Sequence, residues 1–287
     1  MYTVGLATDR LLGHPKSGSC KTSRICDLKD RDFMSIPYKI LTFLQKSSSI
    51  LSQIDPSVRY VEATIDQVSE AIEACGLVIG KPVLVIIGGA SQISDLDFER
   101  IRGLFQTVLA PVAEAVGATV IDGGTDVGIM RLMGEARSAI KGMFPLLGVA
   151  PASLTLLPGS LAVSEKAIPL EPHHTCFIGV PGMQWGDESA ILAKLATEIS
   201  RTNVSVVVVI NGGAITLVDA EYNVQEGREL WVIGGTGRNA DRLVLATQAI
   251  GSDEQLTALV STGRVRCYDL AASETLKADL LKYLSGS

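Results

Sequence analysis

Apolar positions along this chain fall into two alternating spacings, and the alternation is regular from Val61 onward. Ile65, Val68, Ala71 and Ile72 sit at helical spacing and predict a helix ending near Gly76. Pro82 then opens Val83–Ile87, a continuous apolar run that predicts a strand buried on both faces. Ser94 is an N-cap candidate for a long amphipathic helix carrying Leu96, Phe98, Ile101, Leu104, Phe105 and Val108, with Pro111 kinking or restarting it and Gly117 closing it. Further strands are predicted at 118–121, 146–150, 175–180, 204–210, 230–233 and 265–268. Helices are predicted from after Gly128 to about Lys141, from about Asp187 to Arg201, from Ala214 to about Gly227, from Asn239 to about Ala249, and over 273–284. Residues 151–172 hold several prolines and read as a loop crossing the top of the sheet. Strand and helix alternate with short connections, which predicts an α/β fold: an open, mainly parallel sheet with helices on both faces.

The strands end in an unusual way. Val83–Ile87 runs into Gly88-Gly89-Ala90, and Val120–Asp122 into Gly123-Gly124-Thr125 with Gly128 beyond. Val206–Ile210 runs through Asn211 into Gly212-Gly213-Ala214 with Thr216 following, and Leu230–Ile233 into Gly234-Gly235-Thr236-Gly237-Arg238. Glycine lets the backbone turn sharply and approach a ligand, and the helix that follows aims unpaired N–H groups at whatever sits there. Such a corner favours an anion, above all a phosphate. Open parallel sheets bind ligands at their carboxyl ends. The expectation is therefore that these corners face one nucleotide-like ligand across a common rim.

Composition narrows the alternatives. The chain of 287 residues is 47% hydrophobic but only 5% aromatic, the aliphatic balance of a parallel sheet covered on both sides. A net charge of −6 speaks against a general nucleic-acid or membrane-surface binder, although backbone amides can still hold a small anion. No apolar stretch reaches the roughly 18 residues of a membrane span, and the first residues lack the pattern of an export signal. Five cysteines (Cys20, Cys26, Cys75, Cys176 and Cys267), odd in number and without a CxxC, read as reduced thiols in a cytoplasmic protein. His14 with Cys20 and Cys26 matches no common zinc spacing, so no metal is expected. Ser17–Thr22 lacks the spacing and preceding strand of a phosphate loop. Residues 1–60 show no clear period, with one apolar stretch at 36–44, and read as an N-terminal extension or a cap over the site; residues 61–287 form the domain.

The ordered motifs resemble a known family. Asp122-Gly123-Gly124-Thr125-Asp126-Val127-Gly128, with Gly134-Glu135-Ala136 after it, looks like the first nucleotide motif of the SLOG superfamily, which includes the LOG nucleotide hydrolases and the DprA/Smf proteins. Asn211–Asp219 is similar to the LOG pattern PGGxGTxxE, with Asn for Pro, Ile215 for the third Gly and Asp219 for Glu. Gly148–Pro151, Leu170-Glu171-Pro172-His173-His174-Thr175-Cys176-Phe177 and Gly237-Arg238-Asn239-Ala240-Asp241 resemble the SLOG domain of TRPM channels and its prokaryotic relatives, the LSDAT group. The resemblance covers roughly residues 80–250. It implies a Rossmann-like domain that binds a nucleotide or an NAD-derived ligand such as ADP-ribose in a signalling role, with no further cofactor. In LOG hydrolases an Arg precedes the PGG strand and a Glu follows it. Here the preceding stretch offers Arg201, and the acidic position carries Asp219, with Glu221 facing roughly 200° away on the same helix.

Several side chains keep two readings. Asp122 could bind a ribose hydroxyl or cap the amides of its turn. Thr125 and Thr216 could donate to phosphate or satisfy local backbone. His173 and His174 could reach the ligand edge or stand in solvent. Arg238 is the guanidinium best placed for a second phosphate, and Trp185 could stack on a base or fill the core. Three functions compete: a cytoplasmic nucleotide-binding or sensing module, a LOG-like nucleotide N-glycosidase using Asp219 or Glu221, and a structural module for homo-oligomer formation.

Overall fold

The computed structural model describes residues 58–90, 93, 95–156, 167–250 and 253–286. The expectations for the N-terminal extension, the 36–44 stretch, the Ser17–Thr22 segment, the His14/Cys20/Cys26 group and the Ser94 cap lie outside those residues.

Ten strands are present: β1 (Arg59–Glu62), β2 (Val83–Gly88), β3 (Thr119–Asp122), β4 (Leu146–Pro151), β5 (Thr155–Leu156), β6 (Ile168–Pro169), β7 (Cys176–Val180), β8 (Ser205–Ile210), β9 (Glu229–Gly234) and β10 (Val265–Asp269). Eight of them form one sheet in the order β1-β7-β4-β3-β2-β8-β9-β10, every neighbouring pair parallel. The short pair β5-β6 stands apart from it. The helices are α1 (Val68–Ala74), α2 (Asp95–Leu104), α3 (Ala110–Val116), α4 (Gly128–Ala139), α5 (Ser189–Ser200), α6 (Ala214–Gln225), α7 (Arg238–Thr247), α8 (Glu254–Ser261) and α9 (Ser273–Leu284).

Successive side chains of a strand point to opposite faces, so a run such as Val83–Ile87 must be covered twice. Val83, Val85 and Ile87 pack with Val207 and Val209 into the layer of α1, α5, α6, α7 and α8. Leu84 and Ile86 join Val206, Val208 and Ile210 under α2, α3, α4 and α9. Each such side chain, fully buried, is worth roughly 1.5–3 kcal/mol. This is the expected open, parallel α/β sheet. Its apolar runs are continuous because neither face is wet.

Some local outcomes differ from the sequence reading. Pro111 neither ends nor restarts the helix: α2 passes through a π-helical turn over Phe105–Leu109 straight into α3, with helical backbone angles at Leu104, Leu109 and Ala110, and Pro111 lies in the first turn of α3. Gly117 closes α3 with φ 62°, as expected. Strand β1 and helix α8 go beyond the sequence pattern; β1 is four residues long and α8 starts at Glu254, directly after the short polar stretch at 251–253. Asn239 does not cap α7 but lies within its first turn. A disulfide joins Cys75 to Cys176 across a separation of 101 residues. It corrects the reading of all five cysteines as reduced thiols and removes the ground that reading gave for a cytoplasmic setting. Helix α1 packs in the same core layer as β7, a proximity that linear spacing hides. Among the described residues no helix is long and apolar enough to cross a membrane.

Candidate functional site

Because the strands are parallel, their carboxyl ends share one rim. The four Gly-Gly corners follow β3, β2, β8 and β9, which are consecutive neighbours in the sheet. From β2 the chain moves outward through β3 to β4 on one side, and β8, β9 and β10 extend the other side. Strand order thus reverses at β2, where such sheets open a crevice. A cavity of about 440 Å³ lies there, within the range of about 300–1,000 Å³ usual for small-molecule sites.

Each corner contributes to its wall. The β2 corner supplies Gly88 and Ala90, and the β3 corner Gly123 and Thr125. The β8 corner supplies Gly213, Ala214 and Thr216, and Arg238 arrives from the start of α7. Trp185 and Ile215 add apolar surface. The first turn of α6 opens onto this space, so its amides and the positive end of its dipole face the cavity. Arg238 reaches back over that turn: its Nη2 would stand 2.9 Å from a Cβ built on Gly213.

Hydrogen bonds tie the β8 and β9 corners into one unit. Asn211 N–H donates to Thr236 Oγ1 at 2.8 Å, Thr236 Oγ1 donates to Ile233 O at 2.6 Å, and Asn211 Nδ2 donates to Thr236 O at 2.6 Å. Asn239 Nδ2 donates to Gly213 O at 2.8 Å. Thr236 is therefore spent on backbone, behind the wall. Gly89, Gly124, Gly128, Gly212, Gly235 and Gly237 likewise shape the corners without lining the cavity. At two of them the need for glycine is explicit. Gly124 has φ 66°, and a Cβ there would stand 2.7 Å from Gly148 Cα. Gly128 has φ 54° and packs on the backbone of Gly89 and Ala90.

Behind the β3 corner lies a buried ion cluster. His174, fully buried, places Nε2 2.9 Å from Asp122 Oδ1 and Nδ1 2.7 Å from Glu171 Oε2. Asp122 Oδ1 also accepts the Gly124 N–H at 2.7 Å, and His173 Nδ1 stands 2.5 Å from Glu171 Oε1. Burial alone would lower the His174 pKa, but the flanking carboxylates of Asp122 and Glu171 outweigh it and lift it to about 9. The ring is thus an imidazolium whose two N–H groups both donate. Burial pushes Glu171 up, and the two histidines together outweigh it and hold its pKa below the ordinary value. Gly134 has no room for a side chain because the Glu171 carboxylate lies against it. The two motifs meet here. Of its two readings, Asp122 takes the cap, and the paired histidines stand behind the corner rather than on the cavity wall.

The cavity wall formed by α5 and α6 is acidic. Asp219, on α6, accepts a short hydrogen bond from Ser189 Oγ. Burial, opposed by that bond and reinforced by the charge of Glu188, raises its pKa to about 7. Glu188, buried just before α5, accepts the Gly186 N–H at 2.8 Å. Burial raises its pKa, with the charge of Asp187 adding and local amides opposing. The other acidic candidate is elsewhere: Glu221 accepts from Gln255 Nε2 at 2.8 Å, toward α8. Arg201 follows the last residue of α5, the end remote from the rim, and pairs with Glu198. Glu188 escaped the sequence reading because an acid before a helix's first turn looks like an ordinary partner of the helix dipole. Among the described residues no group of three His, Cys, Asp or Glu could hold a metal ion.

A search of curated proteins finds no match in sequence. Among solved structures the chain is similar to the crystal structure of TM1055, a structural-genomics target, at 20% identity and a TM-score of 0.43, over 69% of this chain and 96% of that one. The sequence comparison is decisive. The family model described as "SLOG in TRPM, prokaryote" matches residues 81–278, from the start of β2 into α9, and so takes in all four corners, the ion cluster and the acidic wall. The chain belongs to that family, the prokaryotic LSDAT group.

Proposed function

We propose that this domain binds a nucleotide-type ligand, ADP-ribose or another NAD-derived compound, as a sensing module that needs no cofactor. The observation that carries the reading is the convergence of glycine corners from adjacent parallel strands on one cavity, with the α6 N-terminus and Arg238 on its wall. Backbone amides at a helix start and a guanidinium form a good seat for a phosphate. Trp185 offers a face for a base at the same cavity. Cleavage of the LOG type fits less well, because Arg201 is remote from the cavity and Glu188 occupies the wall beside Asp219.

A thermal-shift comparison of ADP-ribose, cyclic ADP-ribose, NAD and AMP at equal concentration tests the reading, since selective binding to the folded state raises the unfolding midpoint. At a concentration 100 times its Kd a ligand adds about 2.7 kcal/mol. A shift for at least one compound, lost in Gly213→Val, is expected; no shift for any of them overturns the reading. One observation favours a second reading: an Asp219 that holds its proton near neutrality could act as a general acid in N-glycosidic cleavage. Release of free base or nicotinamide during prolonged incubation would support that reading over binding alone.

A further inference from the structure

The acidic wall has no explanation in phosphate binding. Asp219 and Glu188 line the same cavity as Gly213 and Arg238, and among the described residues neither carboxyl forms an ion pair. An anionic ligand would gain nothing from two carboxyls placed at random beside it. These two are held: Glu188 by the Gly186 amide, and Asp219 by Ser189, the residue next to Glu188. Asp219 Oδ1 takes the Ser189 hydroxyl, and among the described residues Oδ2 accepts no hydrogen bond. The carboxylate at the β3 corner is not on the cavity wall: Asp122 is fully buried, its Oδ1 accepts from Gly124 and faces His174, and among the described residues its Oδ2 has no hydrogen-bond partner.

We propose that Glu188 and Asp219 form a ribose subsite, which seats a vicinal diol of the nucleotide whose phosphate lies against Gly213 and Arg238. The inference rests on the nucleotide reading above and adds to it which part of the ligand the cavity selects. A diol both donates and accepts, so it suits two carboxyls on one wall, each already held by a neighbouring donor and each with its pKa raised by burial. The subsite also gives the cavity two chemically different ends, basic at the α6 turn and acidic at the α5 wall, which fixes the ligand's direction.

Titration calorimetry with AMP and 2′-deoxy-AMP, and with ADP-ribose and its 2′-deoxy and 2″-deoxy forms, tests the proposal. In the unaltered protein at least one deoxy form should bind about tenfold more weakly than its parent, the loss expected when a ligand hydroxyl leaves a buried acceptor unpaired. In Asp219→Asn, and in Glu188→Gln as an independent variant, that ratio should fall to about threefold or less while the parent compound still binds. Equal affinity for parent and deoxy forms in the unaltered protein, with Gly213→Val weakening both, overturns the diol subsite and leaves the nucleotide reading intact. An unchanged ratio in both carboxyl variants overturns it as well. Absence of binding for every compound, or binding that Gly213→Val leaves untouched, removes both.

Discussion

The ion cluster behind the β3 corner makes a prediction that needs no ligand. His174 is fully buried between Asp122 and Glu171, and its pKa is lifted from the ordinary 6.5 to about 9. At about 1.36 kcal/mol per pH unit, that is worth roughly 3 kcal/mol to the folded state. The folded pKa lies above the unfolded one, so this stability is fully present below about pH 6.5 and lost as pH rises through about 9. Between those values the native protein holds one proton more than the unfolded chain. Replacing His174 with Gln removes the titration and leaves two carboxylates facing each other without a cation, which should cost about 3–5 kcal/mol at neutral pH. For a domain of this size that corresponds to roughly 6–20 °C in midpoint, at about 2–4 °C per kcal/mol. Asp219 titrates in an overlapping range, so the informative quantity is the difference in unfolding free energy between the unaltered protein and His174→Gln. Measured by urea denaturation, that difference should shrink by about 3 kcal/mol between pH 6.5 and 9.5. A flat difference across the window would show that His174 is neutral in the fold and that the cluster is not an ion pair.

Other substitutions separate building the corners from using them. Gly124→Val forces a β-branched residue to φ 66° against the Gly148 backbone, so it should destabilise by at least about 2–3 kcal/mol, seen as a lowered urea midpoint. Gly213→Val lies at φ −99° and meets only the flexible end of Arg238, so its unfolding free energy should change by less than about 1 kcal/mol while the ADP-ribose thermal shift disappears. Reducing the Cys75–Cys176 disulfide, or replacing both cysteines with Ser, should lower stability by about 2–5 kcal/mol, because the bond closes a loop of 101 residues; equal midpoints with and without reductant would contradict this.

Much of the architecture was legible because a parallel sheet writes it in local terms. Val83–Ile87 and Val206–Ile210 are short, continuously apolar and rich in β-branched residues, and the glycine pair after each marks a strand's carboxyl end. That the corners meet at one rim followed from parallelism rather than from any single residue. What stayed hidden depends on contacts between distant segments. Asp122 and His174 lie 52 residues apart, and their shared proton exists only because the 170–174 turn folds onto the β3 corner. Read alone, two adjacent histidines after a proline look solvated. Cys75 and Cys176 meet in the core layer at the start of β7, and Glu188 joins Asp219 only once α5 is laid beside α6.

The two halves of the site follow different physical rules, and that difference explains what the sequence could say about each. In the proposed reading phosphate is seated by backbone: amides at the start of α6 and the space left where no Cβ stands. Such a seat requires glycine at particular positions, and glycine pairs are visible in any reading. The ligand's other end would meet side chains, Glu188, Asp219 and Trp185, whose identities carry no local structural demand. Their chemistry comes from burial, which raises both carboxyl pKa values, and burial is a property of the assembled α5–α6 wall. The His174 cluster joins the two regimes. It spends a buried imidazolium to hold the Gly124 amide through Asp122, and so keeps the glycine corner of β3 in the shape its front face presents to the cavity.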